Sequence, residues 1–174
     1  LEVSVPQDSA IESFNYTVGN SLLFDGSDDK VVVNGVDNNL LTTSLTIEVW
    51  IKPLSWSDYE GFLSYVTDNF HGTQSGFGFS YYSTGWRFCI KTDNDTINYS
   101  SALEASTPAN QWTHLAATYD GSQVVIYRNG SALDSAPVSG NIDWTHSPSN
   151  LEFGSYTKDG NTRYFHGYID EVRL

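Results

Sequence analysis

Methionine is absent from the 174 residues, cysteine occurs once, as Cys89, and only eight side chains are basic. Each scarcity closes off a class of protein. One cysteine cannot build a disulfide framework, and its place inside an alternating apolar run fits a buried, inert thiol. It says little about compartment. Eight Lys and Arg against 21 Asp and Glu leave a formal net charge of −13. That charge repels phosphate backbones and anionic lipid heads, so no nucleic-acid partner is expected. No apolar run approaches the ~20 residues that a membrane-spanning helix needs, and no basic flank leads into an apolar stretch at the N-terminus. A soluble chain without membrane insertion is the expectation. The acidity itself reads either as plain solubility or as carboxylates gathered around a divalent cation or a polyhydroxylated ligand.

Good helix formers are sparse, whereas aromatic residues reach 14% and Ser, Thr, Asn, Gly and Val are plentiful. That balance belongs to an all-β protein with many turns. The length suffices for one full core without help from disulfides or metals. Residues 1–18, with Pro6, read as a linker or irregular edge segment, and 19–174 as one domain. Four Asn-x-Ser/Thr sequons begin at Asn15, Asn94, Asn98 and Asn129, and are weak support for secretion in a chain this rich in those residues.

Short strands are expected at Leu22–Phe24 and Lys30–Val33, around a turn containing Asp25, Gly26, Asp28 and Asp29. Over 45–52, Leu45, Ile47, Val49 and Ile51 fall on one face and Thr46, Glu48, Trp50 and Lys52 on the other, and Pro53 ends the run. The stretch 54–74 is less regular and reads as a long loop with a short strand near 62–66. Phe77–Tyr82 and Trp86–Lys91 form a hairpin about Gly85, with a short further strand at Ile97–Ser100. The strongest hairpin is Trp112–Tyr119 with Val124–Arg128, flanked by Asp120-Gly121 and Asn129-Gly130. Leu133–Val138 pairs back, a loop carries Trp144, and Leu151–Gly154 leads through a polar loop to a closing strand over 164–174. Eleven or twelve strands without βαβ alternation argue for an all-β sandwich of two antiparallel sheets. The closing strand has an apparent partner in Ser21–Val33, which would join the two ends of one domain.

Five segments, in this order and spacing, resemble those of LamG-like domains. They are Leu23-Phe24-Asp25-Gly26 with Asp29 and Val31; Leu45 through Pro53; Trp112 through Gly121; Tyr127-Arg128-Asn129-Gly130; and Phe165-His166-Gly167-Tyr168-Ile169-Asp170-Glu171-Val172-Arg173. The resemblance runs from about residue 20 to the end and implies the two-sheet jelly roll of the concanavalin A-like lectin/glucanase superfamily. It also implies a structural Ca²⁺ where first and last strands meet, held by Asp25, Gly26 and Asp170, with Asp28 a lesser candidate. Carboxylates and turn carbonyls are what Ca²⁺ seeks. The alternative is that Asp25 accepts N–H bonds within its own turn and that Asp170 pairs with Arg173 or Lys30.

Glycosidases of the superfamily resemble one another in a Glu-x-Asp-x-(x)-Glu strand, since cleavage needs two carboxyl groups at a fixed separation. This chain has no such run. Glu48 stands alone, strict alternation sends Asp170 and Glu171 to opposite faces, and His114 has no nucleophile motif beside it. A non-catalytic module is expected, and its partner a polysaccharide or glycan. Sugars are gripped by aromatic faces flanked by polar groups. The candidates are Glu48 and Trp50; Trp56, Tyr59, Asn69 and His71; Tyr81, Tyr82, Trp86 and Arg87; and Trp144, Tyr156, Arg163 and Tyr164. The alternative is a structural or adhesive module that binds protein and no glycan. Either way the expected setting is a monomeric module within a multidomain secreted or cell-surface protein.

Overall fold

The computed structural model describes residues 2–4, 20–36, 43–69, 73–83, 85–94, 100–104, 107–146 and 150–174. Period-two alternation builds its sheets. In β4 (Leu45–Pro53), Leu45, Ile47, Val49 and Ile51 are buried while Thr46 and Trp50 are exposed. The strand β9 (Thr113–Tyr119) repeats the rhythm beside it, from Leu45 opposite Tyr119 to Ile51 opposite Thr113. Such strands give a sheet one dry face and one wet face.

Six strands form one sheet, in the order β11 (Ser131–Pro137), β10 (Gln123–Arg128), β9, β4, β15 (His166–Arg173) and β2 (Leu22–Asp25). Seven form the other: β1 (Glu2–Ser4), β3 (Val31–Asn34), β12 (Leu151–Phe153), β5 (Leu63–Asn69), β6 (Thr73–Tyr82), β7 (Gly85–Ile90) and β8 (Ser100–Glu104). The expected partnership of the closing strand is present: β15 lies between β4 and β2, with His166 opposite Asp25 and Ile169 opposite Leu22. Between the sheets lies one aromatic-rich core. Phe62 stacks on Phe79 at 4.8 Å and meets the edges of Trp86 at 4.8 Å and Phe165 at 6.0 Å. Burying one such ring contributes about 1.5–3 kcal/mol. No helix occurs among the described residues, so none is long and apolar enough to cross a membrane.

Two stretches differ from the expectation. The irregular region ends at Phe62, and β5 and β6 then pair without a break from Leu63–Phe79 to Asn69–Thr73. The supposed polar loop after Gly154 is a hairpin, β13 (Ser155–Lys158) with β14 (Asn161–Tyr164). Asp159 and Gly160 turn it with φ of 52° and 74°, the left-handed pair that a two-residue hairpin turn requires.

This hairpin covers the outer face of the seven-stranded sheet. The Ser64 hydroxyl donates to the Ser155 carbonyl at 2.8 Å, and the Tyr156 hydroxyl donates to Asp68 Oδ2 at 3.0 Å. Lys158 Nζ stands 3.2 Å from the same carboxylate, whose side chain is almost wholly buried. Cys89, free and buried as expected, lies 3.5 Å from the Tyr156 hydroxyl, and burial pushes its thiol pKa up. A thiol so placed is inert.

Candidate functional site

The wet face of the six-stranded sheet carries an open depression. On β4, Trp50 is flanked by His114 of β9 and Asp170 of β15, its partners in register. Its ring lies 5.3 Å from the His114 ring. Trp112, one residue before β9, leans on Tyr168 at 6.2 Å, and Lys52 lies over the same tyrosine at 5.4 Å from the ring centre. Trp50 and Trp112 remain 39% and 42% exposed, large values for indoles that touch neighbours on a sheet. Together with Asp170 and Glu171 they line an open depression of about 400 Å³.

A β-bulge puts both carboxylates there. Asp170 opposes Trp50, but Glu48 opposes Arg173, so Glu171 and Val172 share the place of one residue. Glu171 absorbs the excess with φ of 46°, a left-handed value that costs a non-glycine residue strain. Val172 then returns to the core and Arg173 to the wet face. The expectation that Asp170 and Glu171 point to opposite faces is therefore wrong, because it assumed an unbroken period of two. One oxygen of Asp170 accepts the Glu171 N–H at 2.8 Å, which fixes the carboxylate beside Trp50.

Glu48, a predicted ligand residue, sits one row away and is engaged within the protein. Arg173 donates to it at 2.8 Å and His114 approaches at 3.4 Å. The bond from Arg173 holds the Glu48 carboxyl below its usual range.

Asp170 does not share a cation site with Asp25. In the ladder His166 is the residue opposite Asp25, and Asp170 lies four residues further along β15, about 13 Å at the rise of a strand. Nor does Asp170 pair with Arg173 or Lys30. Arg173 bonds Glu48 and Glu171, and Lys30 bonds Glu152 at 2.9 Å. The turn after β2 nevertheless gathers acids. Carboxylate oxygens of Asp25, Asp28 and Asp29 lie within 4.8 Å of one another. Asp25 Oδ1 accepts the Ser27 N–H, and Asp29 Oδ2 accepts the Asp25 N–H. Gly26 makes the turn with φ of 81°, and a Cβ there would stand 2.9 Å from the Cβ of His166. Only glycine meets both conditions without strain.

A second aromatic group lies where the 54–62 loop crosses β6. Trp56 stacks on Tyr81 at 5.7 Å and Tyr59 leans on Tyr82 at 5.4 Å. Arg87 lies over Tyr82 at 4.8 Å, and Lys158 over Tyr59 at 4.8 Å. These faces are used by each other and by the protein's own cations. Beneath them Glu60 is 2% exposed and accepts the His166 N–H at 2.7 Å and the Ser57 N–H at 2.8 Å. Burial raises its pKa from 4.5 to about 7, against the opposing pull of those bonds. Glu60 thus ties the loop to β15.

Other predicted ligand residues are placed elsewhere. Trp86 and Tyr156 are fully buried, the first in the core and the second under the β13–β14 hairpin, so neither meets a surface ligand. Trp144 packs on Tyr65 at 4.9 Å and borders the core. Arg163 is exposed on β14, and Tyr164 is half-buried at its end. Asn69 ends β5, and His71 lies outside the described residues. Trp112 and Glu171 were not among the residues predicted. Trp112 had a signal, since it shares its alternation phase with His114.

Two antiparallel sheets, with the last strand laid between the first and third elements of the domain, define a jelly-roll β-sandwich. The chain belongs to the laminin G family of the concanavalin A-like lectin/glucanases superfamily, whose profile matches residues 25–174. Among solved structures of the same fold are domains LG4-5 of the mouse laminin α1 chain, at 15% identity and TM-score 0.64, covering 88% of this chain and 40% of that one. The CBM40 of Ruminococcus gnavus IT-sialidase, bound to α2,3-sialyllactose, matches at 15% identity and TM-score 0.65 over 87% of this chain and 86% of its own. The receptor-binding domain of botulinum neurotoxin mosaic serotype C/D matches at 19% and TM-score 0.65, covering 96% and 42%. The chain spans about two fifths of the laminin and toxin structures. No characterised protein sequence matches it significantly. Domains of the laminin G-like and carbohydrate-binding kinds are generally non-catalytic binding modules.

Proposed function

We propose that this chain is a lectin-like, non-catalytic carbohydrate-binding module of a larger secreted or cell-surface protein, and that its ligand lies across Trp50 and Trp112. The supporting observation is the depression on the six-stranded sheet, with two half-exposed indoles beside two carboxylates on a rigid strand scaffold. Indole faces suit the C–H surfaces of a sugar ring, and carboxylates accept from its hydroxyls. The loop group of Trp56, Tyr59, Tyr81 and Arg87 suits a ligand less, because its rings already stack on one another or carry the protein's own cations. Sialyllactose in the CBM40 structure adds weight to a glycan ligand on this fold. Glycoside cleavage needs an accessible carboxyl that stays protonated; the bond from Arg173 lowers the Glu48 pKa, and Glu60, raised by burial to about 7, is only 2% exposed.

A structural Ca²⁺ belongs to the same reading, in a form corrected for geometry. Asp25, Asp28 and Asp29 would hold it, their hard carboxylate oxygens in a glycine turn being a fitting donor set, and it would supply cross-linking of the turn.

Affinity gels loaded with a panel of polysaccharides test the proposal. Retarded migration on one or more of them, lost in Trp50→Ala and in Trp112→Ala while both variants keep the wild-type melting curve, supports it. Silence across the panel, or retardation that survives both substitutions, overturns it, and silence favours an adhesive module instead.

A further inference from the structure

We infer that the depression between Trp50 and Glu171 selects glycans bearing a free, protonated amino group, the chemistry of a glucosamine polymer, over acetylated or anionic ones. This rests on the reading of that depression as the sugar site. Its walls combine two indole faces with two carboxylates. An ammonium is attracted by both, through the ring quadrupole and through charge-assisted hydrogen bonds. Asp170 uses one oxygen to hold the Glu171 N–H, and Glu171 uses one to accept from Arg173 at 2.8 Å. The second oxygen of each has no protein donor among the described residues.

The basic side chains bordering the depression are each engaged within the protein. Arg173 bridges Glu48 and Glu171, Lys52 lies on Tyr168, and His114 faces Glu48. A carboxylate or sulfate arriving there would meet two like charges, with Lys52 the one neighbouring basic group among the described residues that lacks a carboxylate partner. At longer range the formal net charge of −13 attracts a polycation and repels a polyanion. The bulge sharpens the argument. A strained left-handed Glu171 is the device that brings a second carboxylate beside the first, and a site for a neutral sugar has no need of a charge pair held so.

Titration calorimetry with glucosamine oligosaccharide, its fully N-acetylated counterpart and sialyllactose, below the pKa of the amine, tests the inference on wild type, Trp50→Ala and the double variant Asp170→Asn, Glu171→Gln. Both amides keep an oxygen for the Glu171 N–H and for Arg173, so the bulge is retained. Wild type should bind the amino oligosaccharide at least about tenfold tighter than the acetylated one, the size of one charge-assisted hydrogen bond. The double variant should bring the two affinities together, and Trp50→Ala should weaken both. Equal or tighter Trp50-dependent binding of the acetylated sugar or of sialyllactose, or an unchanged preference in the double variant, overturns the inference and leaves the sugar site standing. Absence of binding to all three also overturns the inference, whereas binding indifferent to Trp50→Ala overturns the sugar site itself.

Discussion

Glu60 makes the stability of the domain depend on pH in a direction opposite to that of most carboxylates. Its ordinary pKa of 4.5 applies to the unfolded chain, and burial raises the folded value to about 7. Between those limits the folded state keeps a proton that the unfolded state has released. The contribution of Glu60 is thus fully present below about 4.5 and is lost as pH rises through about 7. The loss amounts to about 3 kcal/mol. In a domain of this size that corresponds to about 6–12 °C in melting temperature. Glu60→Gln removes the ionisation while preserving shape, so any constant cost of the amide drops out of the comparison. Thermal unfolding by circular dichroism from pH about 4 to about 8 gives the difference between wild type and variant. Wild type should lose ground steadily against Glu60→Gln across that range. A flat difference, or one that rises with pH, would refute the account of Glu60 as a desolvated carboxyl bound only by N–H and hydroxyl donors.

Trp86→Ala, which empties the centre of the aromatic core, should cost about 3–5 kcal/mol in urea unfolding, whereas Trp112→Ala should stay within about 1 kcal/mol. Comparable losses would mean that the buried and exposed indoles have been misassigned. Asp68→Asn should destabilise by about 1–3 kcal/mol, because Lys158 and the Tyr156 hydroxyl lose their shared acceptor charge under the hairpin. Hydrogen exchange should then speed up in β13 and β14 first. Ca²⁺ should raise the melting temperature of wild type and of Asp170→Ala alike but not of Asp28→Ala. A response lost in Asp170→Ala and kept in Asp28→Ala would restore the shared site that the strand register denies.

The sheets were legible because burial follows alternation so closely. The strand from Leu45 to Pro53 has the in–out order its sequence implies. The same rule, applied to β7, puts Trp86 on the face of Phe88 and Ile90, so its place in the core was also readable. The β13–β14 hairpin was hidden by polar composition, although Asp159-Gly160 is a turn signal in its own right. Tyr156 was misplaced with it, since nothing local tells that a hairpin folds back over a sheet. The pairing of β15 with β2 was foreseen, but the position of Asp170 along it was not. That position depends on which residues face each other, and a strand of alternating type accepts several registers with the same burial. The bulge was beyond reach for the same reason. Its two members look ordinary until their partner across the ladder is known.

Glu171 is an extra residue in a literal sense. Take it away, and Ile169, Asp170, Val172 and Arg173 still fall in, out, in, out, with every buried side chain in its present seat. The closing strand thus tolerates a one-residue difference in length without disturbing the interior. Among kindred domains an insertion or deletion at this point would change what the surface offers a ligand while leaving no trace in the core, so alignment gaps here carry information about ligand choice and not about fold.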